Sequence, residues 1–65
     1  MIIKQLVYHT DDSFLLNIKE HGSEHRLITG QIKELNSENN KAYRKLLEHQ
    51  IKDFYINHGS VIIWI

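Results

Sequence analysis

Five of the chain's last six residues are apolar: Ser60 is followed by Val61, Ile62, Ile63, Trp64 and Ile65. A strand with one wet face alternates apolar and polar residues, whereas a strand covered on both faces reads as an unbroken apolar run. Drawn as a strand, this segment offers Val61, Ile63 and Ile65 to one side and Ile62 and Trp64 to the other. Both sides need cover, and 65 residues hold little material to supply it. A chain of this size is expected to form a single domain over residues 1–65, with a modest buried fraction and marginal stability. Small domains reinforce themselves with disulfides, a metal or a second copy. The chain has no cysteine, which closes the disulfide route and excludes thiolate zinc sites. Self-association is the simplest route left.

The remaining elements follow from pattern and turn chemistry. Residues 2–9 read as a strand, with Ile2, Ile3, Leu6, Val7 and Tyr8 around Lys4 and Gln5. Thr10-Asp11-Asp12-Ser13 reads as a turn, because short polar side chains bond nearby backbone. Residues 14–20 and 25–32 read as two strands of a hairpin closed by Gly22-Ser23. That loop pairs Ile18 with Leu27, Leu16 with Thr29, Glu20 with His25 and Lys19 with Arg26. Parity then puts Leu6, Tyr8, Phe14, Leu16, Ile18 and Leu27 on a core face. Ile3, Val7, Leu15, Ile28 and Ile32 fall on the other, mixed with Gln5, Asn17, Lys19 and Arg26.

Downstream, Tyr43, Leu46, Leu47, Ile51, Phe54 and Tyr55 recur at the three- and four-residue steps of a helical stripe. Ser37 is placed to cap that helix and Gly59 to end it in a left-handed conformation. Arg44–Glu48 and Glu48–Lys52 have the spacing of ion pairs along it. The expected fold is α+β: a mostly antiparallel four-stranded sheet, in the order strand, strand, strand, helix, strand, with one long helix packed on one face. The other face is left without cover.

Chemistry-bearing motifs are sparse. The five histidines include His21 and His25 on either side of the hairpin turn with Glu24 between them, and His9 just before Asp11-Asp12. Zinc needs three or four converging ligands, and no third and fourth are evident, so the expectation is turn residues and no metal. Asp11-Asp12 reads as turn chemistry, and the serines lack a nucleophile-elbow context. His21-Gly22-Ser23 follows a strand without opening a helix, so it is no phosphate loop. The expectation is a non-enzymatic chain with no cofactor.

Lys plus Arg and Asp plus Glu are both eight, giving no net charge. Nucleic-acid binders carry a basic excess, so nucleic acid is not the expected partner. The opening Met1-Ile2-Ile3-Lys4 reaches a charge at once, without the apolar stretch of a signal peptide or a membrane span. A cytoplasmic location is expected. Richness in Ile, Lys and Asn matches the bias of AT-rich genomes, including those of phages.

The functional expectation is a small protein-interaction module. It would be a homodimeric regulator or inhibitor that acts by binding another protein. The expected interface holds Ile62, Ile63, Trp64 and Ile65, joined by Ile3, Val7, Leu15 and Ile28; Trp64 stands out because tryptophan is enriched in binding hot spots. Lys19, Arg26, Lys41, Arg44, Lys45 and Lys52 are the expected contacts for an anion or an acidic partner. The competing readings are a nucleotide-like anionic ligand held at the dimer seam, and weak nucleic-acid contact through the last four of those cations.

Overall fold

A computed structural model describes residues 1–23, 25–38 and 40–65. The chain is α+β, as the sequence suggests. Its elements are α1 (Ile3–Tyr8), β1 (Leu15–Lys19), β2 (Arg26–Gln31), α2 (Ile32–Ser37), α3 (Lys41–Leu46), β3 (Asp53–Asn57) and β4 (Ser60–Trp64). The four strands form one sheet in the order β2-β1-β4-β3. Two antiparallel hairpins, β1–β2 and β3–β4, are joined by a parallel seam between β1 and β4. The sheet is therefore mixed rather than mostly antiparallel, and the apolar run at Val61–Ile65 occupies its centre. Val61 and Ile63 are buried beside Leu16 and Ile18 of β1. Past Trp64, the Ile65 N–H donates to the Lys19 carbonyl at 3.0 Å.

Residues 2–9 are not a strand. Ile2-Ile3 and Leu6-Val7 recur at a four-residue step, which stacks both pairs on one side of a helix, whereas a strand splits each adjacent pair between its two faces. Ile3 and Val7 are accordingly buried on one side of α1, and Tyr8 is exposed. Gln5 Oε1 accepts the Ile2 N–H at 2.9 Å. The N–H groups of Ile3 and Lys4 donate to the carbonyls of His49 and Leu47 at 3.0 and 2.8 Å. Donors that a helix start leaves orphaned thus meet backbone carbonyls just beyond α3.

The single long helix is replaced by two short ones and a strand. Asn40, not Ser37, caps α3: its Oδ1 accepts the Tyr43 N–H at 3.0 Å. Ser37 closes α2, its hydroxyl donating to the Glu34 carbonyl. Tyr43 and Leu47 are buried as their four-residue spacing demands. Beyond them the helical stripe is misleading, because Phe54, Tyr55 and Ile56 are consecutive strand formers and lie in β3 with Tyr55 exposed. The expected ion pairs along the helix dissolve with it; Glu48 Oε1 instead lies 3.9 Å from Lys4 Nζ. Gly59 does adopt the left-handed conformation, at φ 70°, but in the two-residue β3–β4 turn.

The β1–β2 hairpin keeps the expected Lys19–Arg26 pair and then slips by one residue at a bulge. Ile18 faces Ile28 and Leu16 faces Gly30, while Leu27 is displaced to the exposed surface. Glu24, beside this turn, lies outside the described residues, as does Asn39. The expected turn at 10–13 is present: Asp11 Oδ1 accepts the Ser13 N–H at 2.9 Å and the Ser13 hydroxyl at 2.8 Å. All three helices contribute to a core on one side of the sheet. Ile3, Val7, Ile32, Leu35, Tyr43 and Leu47 pack there with Leu16, Ile18, Val61 and Ile63. Among the described residues no helix is long and apolar enough to cross a membrane.

Candidate interaction surface

Because side chains alternate along a strand, burying Leu16, Ile18, Val61 and Ile63 turns their neighbours to the opposite face. Strand pairing arranges those neighbours in rows. Thr29, Asn17, Ile62 and Tyr55 form the middle row across β2, β1, β4 and β3. Arg26, Lys19, Trp64 and Asp53 form a row at one end; Gln31, Leu15, Ser60 and Asn57 form a row at the other. Leu15 is 45% exposed and Tyr55 56%, with Ile62 and Trp64 partly exposed between them. A sheet face left to water is normally polar. This one carries Leu15, Ile62, Trp64 and Tyr55 interspersed with cations, a carboxylate and amides. Within the middle row, Thr29 Oγ1 donates to Asn17 Oδ1 at 2.6 Å.

The expected interface divides under this geometry. Leu15, Ile62 and Trp64 share the uncovered face. Ile3, Val7 and Ile63 do not reach it, since they are at most 3% exposed and fill the protomer's own core. Ile28 and Ile65 are partly buried against that core. Lys19 and Arg26 sit at one end of the uncovered face, beside Trp64. Lys41, Arg44 and Lys45 lie on α3, and Lys52 precedes β3, where its N–H donates to the Trp64 carbonyl at 2.9 Å. Arg44 and Lys45 occupy the last turn of α3, where cations offset the negative end of the helix dipole.

Sequence reasoning assigned Phe54 and Tyr55 to a helix stripe and so missed β3 as an exposed sheet edge. Every residue of β3 is exposed, with Phe54 at 40% and Ile56 at 49%. The signal was present in Asn57-His58-Gly59-Ser60, a hairpin turn between two strand-forming runs.

A groove of about 400 Å³ opens where Lys4 and Tyr8 of α1 meet Arg44, Glu48 and Asn36 over the buried Tyr43 ring. Several of its polar groups pair with one another. The Tyr43 hydroxyl donates to Asn36 Oδ1 at 2.7 Å, and Lys4 lies between Glu48 and the Tyr8 ring. Burial, then the nearby Tyr8, push the Tyr43 phenol above its ordinary pKa. Among the described residues no three His, Asp or Glu side chains converge as metal ligands would. No protein-family model matches this chain, and no curated protein or solved structure does either.

Proposed function

We propose that this chain is a small non-catalytic interaction module, a homodimeric regulator or inhibitor that acts by binding another protein through the uncovered face of its sheet. The observation that carries this reading is the set of apolar side chains on that face, Leu15, Ile62, Trp64 and Tyr55. Exposed apolar patches rimmed by polar groups mark interaction sites. The composition fits a hot spot, with a tryptophan next to the cations Lys19 and Arg26 at one end of the face. Lys19 and Arg26 at one end favour a partner with acidic residues opposite them.

The test is recovery of bound protein from the native host with wild type, Trp64→Ser and Lys45→Glu on α3. Trp64→Ser is expected to weaken capture by about 2 kcal/mol or more, the range of a hot-spot residue, while Lys45→Glu leaves it intact. Equal capture by wild type and Trp64→Ser would remove the uncovered face from the function.

A further inference from the structure

We infer that β3 is a self-pairing edge, through which two copies join their sheets into one of eight strands. This deepens the dimeric part of the proposed function and supplies its seam. β3 stays largely open in its own protomer, with Phe54 40%, Ile56 49% and Tyr55 56% exposed, yet it carries these three apolar residues in succession. Its backbone is available as well. The Phe54 N–H donates to its neighbour Asp53 Oδ1 at 2.9 Å, so it points away from β4. By the alternation of an antiparallel ladder, the Ile56 N–H points the same way.

The occupant that fits is β3 of a second copy, antiparallel and centred on Tyr55. In that register Phe54 lies beside the partner's Ile56 on the helix side of the sheet, extending the core face with apolar against apolar. On the uncovered side Tyr55 meets the partner's Tyr55, an aromatic cross-strand pair. Asp53 meets the partner's Asn57, so the two acidic groups stay apart. Asn57 Oδ1 already accepts the His58 N–H at 2.8 Å, which leaves its amide N–H groups for that carboxylate.

Two hydrogen bonds, from each Ile56 N–H to the opposite Phe54 carbonyl, form without disturbing the Asp53–Phe54 contact. Two more become available when Asp53 turns to the partner's Asn57. A seam of one five-residue strand is small, which places the assembly among weak, concentration-dependent dimers. Joining the edges also makes the two uncovered faces contiguous.

The absence of native cysteine makes the register directly testable. Tyr55 on the two-fold axis is a non-hydrogen-bonded pair, with Cα atoms about 4.5 Å apart, inside the range of about 4.4–6.8 Å that a disulfide spans. In a glutathione redox buffer, Tyr55→Cys is expected to form covalent dimers at least about tenfold faster than Asn57→Cys or Ile62→Cys. Those two positions do not meet their own copies across this seam. Ile56→Lys, folded by circular dichroism, is expected to weaken the dimer at least about tenfold by sedimentation equilibrium, because an inward charge blocks edge pairing. Cross-linking by Ile62→Cys as fast as by Tyr55→Cys would instead mean face-to-face packing, and a monomer at millimolar concentration would mean no self-association. Either result overturns the seam. A monomer that still loses its bound protein on Trp64→Ser would sink the seam and leave the interaction face standing. A Tyr55-linked dimer whose capture ignores Trp64 would do the reverse.

Discussion

Asp11 holds the loop before β1 through three atoms: one carboxylate oxygen takes both the N–H and the hydroxyl of Ser13. Hydrogen bonds to a charged acceptor favour its ionised form. The Ser13 N–H, then its hydroxyl, hold the Asp11 carboxyl below the usual value of 3.8, with Lys33 adding a smaller pull. The folded state therefore binds this proton less readily than the unfolded chain. The stabilisation is present above the unfolded pKa and is lost as pH falls through the folded one. Asp11→Asn should lower the urea midpoint near pH 7, and the gap to wild type should close toward pH 2. A gap that stays constant with pH would mean that the charge of Asp11 contributes nothing. The turn itself was legible in Thr10-Asp11-Asp12-Ser13, since its chemistry is local. The role of Tyr43 was legible only in part: its burial follows from spacing, but its bonds to Asn36 and Asn40 depend on the break between α2 and α3.

Among the elements, those whose signal is local and unambiguous were readable. β1, β2 and β4 lie within a residue or two of where alternation, the Gly22-Ser23 turn and the final apolar run place them. α1 and β3 were exchanged in type. Ile2-Ile3 and Leu6-Val7 fit a helix better than a strand, and Phe54-Tyr55-Ile56 fit a strand better than the tail of a helical stripe. Short apolar runs carry both periods, and only tertiary partners decide between them. The close packing of α2 on β2 had no sequence signal beyond a glycine. A Cβ on Gly30 would lie 3.2 Å from Leu35 Cδ2 and 3.3 Å from its Cγ, tighter than ordinary contact. Gly30→Ala should therefore push α2 outward and cost about 1–3 kcal/mol, the usual range for overpacking. A chemical-denaturation curve measures it, and an unchanged or higher midpoint would mean that Leu35 yields freely.

Across the whole molecule, three short helices cover one side of the sheet and leave the other to solvent or a partner. That imbalance was visible in the count of apolar faces, although the count relied on one long helix that is absent. The strand at the sheet's centre gives it a direct test, because adjacent residues of β4 belong to different worlds. Ile63 is fully buried and Ile62 lies on the uncovered face. Ile63→Lys should abolish cooperative unfolding, since an unpaired buried charge costs more than the whole stability of about 5 kcal/mol expected at this size. Ile62→Lys should keep the fold, within about 1 kcal/mol of wild type. Equal loss in both variants would mean that the two faces are equally enclosed.

The parallel seam between β1 and β4 also has a consequence in time. Each hairpin closes over a short loop, but the seam brings Leu15 beside Ser60 across most of the chain. Loop-closure entropy is spent before those long-range contacts form, and such topologies fold slowly for their size. The two hairpins can each be present while the core is not, because Leu16 and Ile18 need Val61 and Ile63 beside them to complete it. In that interval the strand formers of β4 lack their neighbour, and protection of their amides from solvent exchange should mark the moment when the two halves become one fold.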